Sequence, residues 1–482
     1  MFCATLIAFC AVDARADDKG LQLTSLRLMR EKGVISSAEY DSAMKDIADT
    51  AGAKAADAPT FILSRFSTTL YGFVESDMIH DSTQSFVDLQ GNNLAAKSST
   101  YAGSHGRTQF GVRNSRLGLR LKAPEYHAVR VSGILEMDFL GTELPIGYAQ
   151  PYQESEASFW TNPALRVRHA NVKIETDVVD VMLGQSWELF GWQPFFHPNS
   201  VEIQGLPGQI YSRTPQLRVS KTIKTSKINV DLAVAAMRPP DRDGEVPEGQ
   251  AGLRLSVNGW TGGQTMGATG TAISPLSIGL SGDARYLSVP QFSAAPKGTV
   301  STSTGAFAVD VFVPILPASD VSHLANALSL NGEFVTGYGI SDLYTGLNGG
   351  VTFPALPNPG GATPAPAYPQ ALDNGIATID ATGNLQAVQW TSGLVGAQYY
   401  LPGVDGKVWV SANFSHLQSS NGPILGTPAK TLSSSNWADG NVFVDVVPGF
   451  RVGAEYARTW DTFGDAAQAT NDRVQVSAFL IF

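Results

Sequence analysis

From Phe66 to the carboxyl terminus the chain repeats one pattern, short runs in which apolar and polar residues alternate, joined by links of two different lengths. The last eleven residues show the alternation most cleanly. Val474, Val476, Ala478, Leu480 and Phe482 fall on one face, while Arg473, Gln475 and Ser477 fall on the other. Side chains of an extended strand point alternately to opposite sides, so a period of two describes a sheet with one apolar and one polar face. About sixteen such runs follow one another, within the even-numbered range of single-chain membrane barrels. The short links include 123–126, 223–227, 401–406 and 448–449. Between them lie the long ones, 81–105, 141–163, 188–213 and 340–385. A soluble sandwich has no reason to sort its links by parity, whereas a membrane barrel has short turns at one end and long loops at the other. Two links that parity makes short, 259–275 and 315–327, are long. They imply either insertions at that end or a shifted register.

Composition agrees with a barrel and removes other classes. The chain has 482 residues, 43% of them hydrophobic, with a mean hydropathy of −0.02. No run of about eighteen uncharged apolar residues occurs, which excludes helical spans. Barrel strands leave such an average untouched because lipid-facing and lumen-facing residues cancel. A net charge of −10 gives no electrostatic reason to expect nucleic acid as a partner. Both cysteines, Cys3 and Cys10, lie in an apolar amino-terminal stretch that ends in Ala14-Arg15-Ala16, an A-x-A cleavage pattern. Residues 1–16 therefore read as a signal peptide, and the mature chain has no thiol for disulfides, metal or catalysis. Residues 17–50 read as a helical segment, with Ser36 and Glu39 at capping-box spacing. An alanine-rich linker, 51–65, leads to the barrel at 66–482.

With the apolar set facing lipid, the opposite set places Arg116, Arg120, Arg166, Arg168, Arg218 and Arg254 on the wall of the lumen, with Arg285, Arg451 and Arg473 on other strands. A guanidinium stays charged and presents a planar donor fork, so such a wall favours anions. Inward acids are expected too: Glu75, Asp77, Glu136, Asp138, Asp231, Asp283 and Glu455. The third long link combines Trp192, Phe195, Phe196, His197 and Glu202; it resembles the third loop of general porins, which folds inward and narrows the channel, and by that resemblance it is the candidate constriction. No metal site is expected, because no ligand stands at suitable spacing from His197. No catalytic motif is present, there is no mature cysteine, and the seven histidines are scattered. The reading is not an enzyme, and no cofactor is implied.

Ser115 to Leu121 (SRLGLRL), Arg166 to Ala170 (RVRHA), Leu183 to Trp187 (LGQSW) and Arg213 to Arg218 (RTPQLR) resemble, in order and spacing, the DcaP-type porins of Gram-negative outer membranes. The terminal Phe482 likewise resembles the aromatic carboxyl terminus of outer-membrane proteins. Asn171 departs from the family, which tends to have an aromatic residue there. The resemblance implies a homotrimer in outer-membrane lipid, a periplasmic amino-terminal helical segment, and uptake of negatively charged solutes such as dicarboxylic acids. Arg116, Arg120, Arg166, Arg168 and Arg218 would be the wall positions behind that preference. The expected function is thus an outer-membrane porin for passive diffusion of small hydrophilic, anionic solutes. Two other readings stay open: an unselective or sugar-preferring pore, with Trp187, Trp192, Trp390 and Trp409 as a stacking path, and a non-conducting structural or adhesive protein.

Overall fold

The computed structural model describes residues 60–63, 65–90, 94–141, 164–203, 205–241, 244–291, 298–345, 347, 375–380 and 382–482. The signal peptide, the helical segment at 17–50, most of the linker and most of the second long link lie outside these residues. Alternation produces sixteen wall strands. They are β1 (Phe66–Asp81), β2 (Arg107–Gly111 and, after a break, Arg116–Lys122), β3 (Arg130–Gly141), β4 (Ala164–Glu175), β5 (Asp180–Trp187), β6 (Arg213–Lys224), β7 (Ile228–Met237) and β8 (Glu248–Gln264). The second half comprises β9 (Ala272–Pro290), β10 (Thr299–Leu316), β11 (Leu328–Tyr338), β12 (Gln389–Tyr400), β13 (Val408–Gln418), β14 (Leu432–Val447), β15 (Phe450–Phe463) and β16 (Gln468–Ile481). Each pairs antiparallel with its neighbours in sequence.

The ring closes where β16 meets β1, from Phe73 opposite Ile481 to Asp81 opposite Arg473. Closure leaves no unpaired edge, the condition for a sheet to stand in hydrocarbon. On β16 the outward Val474, Val476 and Leu480 are about half exposed, while Asn471, Arg473, Gln475 and Ser477 face in and are almost completely covered. At the seam Gly72 exchanges two backbone hydrogen bonds with Phe482 (2.9 and 3.0 Å). A Cβ on Gly72 would stand 2.2 Å from the Arg116 carbonyl oxygen and 3.2 Å from the Phe482 ring, so only glycine admits this approach.

The register near 259–275 departs from the sequence expectation. Alternation ends at Asn258 because Gly259, Gly262 and Gly263 interrupt it, yet β8 continues to Gln264 through a bulge between Val257 and Thr261, with Gly259 at φ +84°. The turn is therefore only 265–271. At 317–327 the insertion is real: Ala318, Leu324 and Ala327 tuck against the inner wall. The first half of β14, with three serines after Leu432 and a single aromatic residue, Trp437, has no clear outward apolar face, and it is held by pairing with β13 and β15.

Candidate pore constriction and basic wall

The third long link, here called L3, leaves β5 at Trp187 and crosses the inside of the barrel before joining β6. A loop withdrawn from water must have its backbone polar groups satisfied, and the inward side chains of the far wall do this. The N–H groups of Leu189 and Phe190 donate to Gln250 Oε1 on β8 (3.1 and 2.9 Å), and that of Gly191 donates to Ser281 Oγ on β9 (2.9 Å). The Phe196 carbonyl accepts from Asn331 Nδ2 on β11 (3.0 Å). The Asn199 carbonyl accepts from Ser411 and Asn413 on β13 (2.8 and 2.9 Å). The Val201 N–H donates to Asn441 on β14 (2.9 Å) and the Glu202 N–H to Glu455 on β15 (2.9 Å). On the return, the Ile210 N–H donates to Glu333 on β11 (2.8 Å).

The aromatic residues of L3 lock it in place. Trp192 donates from Nε1 to the Leu280 carbonyl (3.0 Å), and its ring occupies the recess over Gly252 and Gly279, where a Cβ on either would lie 2.8 Å from ring atoms. Phe196 is buried beside it with Leu189 and Phe312. Phe195 is partly exposed and carries the Arg254 guanidinium over its ring at 3.6 Å. His197 lies 5.2 Å from the ring of Trp187 and 5.3 Å from that of Tyr211.

Of the six wall arginines, all face the interior, but their surroundings differ. Arg166 forks onto Asp138 (2.9 and 2.6 Å). Arg168 reaches Glu136 (2.7 Å) and Asp138 (3.1 Å), and a register shift between β3 and β4 brings His169 to the same face. Arg116 stands 3.7 Å from Glu136, and Arg254 pairs with Asp231 at 2.8 Å. Arg120 lies over the Tyr71 ring at 3.9 Å, and Arg218 donates to Gln216 (2.9 Å) and the Trp187 carbonyl (2.6 Å). Sequence reasoning passed over Arg213, which alternation assigns to the face opposite Arg218. At the end of β6 it turns toward L3, 4.6 Å from the Trp187 ring and 5.3 Å from that of Tyr211. It also missed Asp310 and Glu333, directly opposed across β10 and β11.

The interior is unevenly filled. On the side of β12 to β16 and β1, Phe73, Val201, Leu324, Tyr400, Trp409, Phe443 and Phe479 form an apolar core inside the barrel, and Trp390 is enclosed in a second cluster with Phe190 and Ile210. Trp390 and Trp409 are fully covered, so they do not form a stacking path. By contrast, inward residues of β2 to β7 such as Lys122, Ser132, Asn171, Lys173, Arg218 and Ser220 keep part of their surface open. A partly open lane runs along the basic wall, leaving out Arg168, which is fully covered.

The electrostatics of L3 divide along the same line. Burial pushes the His197 imidazole down to about 3, with Arg213, Arg168 and Arg116 adding to the effect, so it is neutral at physiological pH. Burial opposes ionisation of the Tyr211 phenol, yet Arg168, Arg213 and Arg116 outweigh it and bring the group down to about 7. Glu202 faces the other wall, where Gln90 N–H donates to it at 2.6 Å and Arg473 lies 3.7 Å away. Burial, with Glu455 and Asp81 adding and Arg473 opposing, raises its carboxyl to about 8. A carboxyl that binds its proton more tightly in place than in the free chain stabilises its attachment in acid, and that contribution is lost as pH rises through about 8. Open-channel current noise is therefore expected to grow between pH 5 and pH 9 as L3 loosens. In Glu202→Gln the pH dependence should flatten; an unchanged profile would remove Glu202 as its source.

A closed antiparallel barrel of sixteen strands, with its third long loop folded into the lumen, is the fold of the outer-membrane porins. Among solved structures the chain is similar to the outer membrane channel DcaP of Acinetobacter baumannii, at 16% identity and a TM-score of 0.58, covering 88% of this chain and all of that one. It also aligns with an anion-selective porin from Comamonas acidovorans at 12% identity and a TM-score of 0.49, covering 86% of this chain and all of that one. No family model and no curated protein matches the sequence.

Proposed function

We propose that this chain is an outer-membrane porin that forms a water-filled channel for passive diffusion of small hydrophilic solutes, with a preference for anions that extends to dicarboxylates. The observation that carries the reading is the partly open lane beside L3, on a wall where Arg116, Arg120, Arg166, Arg213 and Arg218 keep some of their surface accessible. Basic groups around a narrow aqueous path raise the local anion concentration and replace part of an anion's hydration. The outward apolar faces of the strands fit outer-membrane lipid. A homotrimer, a signal peptide at 1–16 and a periplasmic segment at 17–50 complete the proposal, in line with the resemblance in sequence.

The test is the zero-current potential of purified protein in a planar bilayer across a potassium chloride gradient. A chloride-selective sign is expected. A cation-selective sign would keep a porin and remove the anion preference, and absence of conductance would favour a structural or adhesive protein. Concentration-dependent block by saccharides, with no ion preference, would favour the sugar-preferring pore.

A further inference from the structure

We infer that the anion preference resides chiefly in Arg213, seconded by Arg218, and less in the more conspicuous Arg166 and Arg168. The inference rests on the anion-channel reading above. Its basis is the distribution of carboxylates along the wall. Asp138 receives a two-pronged hydrogen bond from Arg166, Glu136 and Asp138 together hold Arg168, and Glu136 also faces Arg116. Each of these guanidiniums has a carboxylate within 4 Å, and a passing anion would have to compete with a partner already in place at high effective concentration.

Arg213, Arg218 and Arg120 have no such partner among the described residues; of the three, Arg213 and Arg218 meet Trp187, where L3 begins. Arg218 spends its hydrogen bonds on neutral groups, Gln216 and a backbone carbonyl. Arg213 is held by the faces of Trp187 and Tyr211, and its Nη1 is buried without a hydrogen-bond partner among the described residues. His197 Nε2, on the same aromatic cluster, is likewise buried and unpaired. A buried donor without an acceptor is a cost to the empty protein. Nη1 itself is enclosed, but the Arg213 side chain keeps part of its surface open, and an oxyanion or chloride ion reaching it there meets no carboxylate already in place, so Arg213 gains more from contact with a solute than the paired arginines do. The adjoining rings of Trp187 and Tyr211, 4.9 Å apart, support the guanidinium on one flank, so the site is formed before the solute arrives. Ionisation of Tyr211 would supply an internal negative charge to the same cluster, so the effect is to be measured at pH 6.

Simple neutralisation of a paired arginine would mislead, because it uncovers its carboxylate. The experiment therefore compares Arg213→Gln with the charge-balanced double variant Asp138→Asn/Arg166→Gln, using chloride over potassium permeability from the zero-current potential at pH 6. Arg213→Gln is expected to lower the ratio at least about twofold, Arg218→Gln to lower it less, and the double variant to lower it least. Arg213→Lys keeps the charge and should retain most of the preference, which separates loss of charge from misfolding. Retention of heat-modifiable mobility on gels confirms that each barrel is closed. An unchanged ratio in Arg213→Gln, or an equal fall in the double variant, would overturn the assignment of Arg213 while leaving the anion channel intact. A wild-type protein without chloride preference would instead overturn the reading on which it rests.

Discussion

Arg473→Ala is expected to lower the stability of the closed barrel by about 3–5 kcal/mol, the range for removing one member of a buried ion pair. Arg473 and Asp81 face each other across the seam between the last and first strands, joined by two hydrogen bonds of 2.8 and 2.9 Å, and both side chains are fully covered. The same guanidinium donates to the carbonyl of Val87 (2.7 Å), tying the first long loop to the seam. Alanine would leave Asp81 charged, enclosed and short of its partner, with only the amides of Asn471 and Gln109 near it. The measurement is urea unfolding of the barrel in detergent, followed by the loss of compact mobility on unheated gels. A midpoint within error of wild type would show that water enters the seam and that the pair is not isolated from it. Asp81→Asn/Arg473→Gln, which removes both charges, should recover much of the loss.

The second large effect is expected at Trp192. Truncation to alanine empties the recess over Gly252 and Gly279, breaks the indole hydrogen bond to Leu280 and takes the largest side chain from the cluster that pins the start of L3. Losses of about 3–5 kcal/mol accompany such core truncations of large aromatic residues. Here the cost falls on the loop rather than on the wall, whose strands remain paired without it. Single-channel conductance should therefore rise and become noisier while barrel unfolding hardly moves. Equal conductance in wild type and Trp192→Ala would mean that the remaining backbone attachments from Gln250 to Glu455 suffice to hold L3.

What could be read from sequence was whatever follows from local periodicity. The alternation in β16, the parity of the links and the inward placement of Arg116, Arg254 and Arg473 all depend on side chains two apart pointing the same way. Where the period was broken the reading failed: Gly259 hides a bulge in β8, and the residue gained between β3 and β4 brings His169 inward beside Arg168. The route of L3 was foreshadowed only by resemblance and by its load of aromatic residues. Its anchors, Glu333, Asn441 and Glu455, lie 123 to 253 residues farther along the chain than the amides they receive, and nothing local reports such a pairing. The same holds for the arginines. Their presence on the wall is a matter of phase, but which of them is neutralised depends on carboxylates brought opposite by strand register.

The wall grips L3 largely through its backbone: N–H groups of residues 189, 190, 191, 201, 202 and 210 and carbonyls of 196 and 199 meet side chains contributed by the barrel. A main chain offers the same donors and acceptors whatever residue carries it. The position of the loop is thus inherited from strands that must keep their sequence to remain a barrel, while an L3 side chain left open, such as that of Phe195, can be exchanged without unfastening it. Solute preference in this architecture can drift in a handful of positions, and an engineer could rewrite those positions on an unaltered frame.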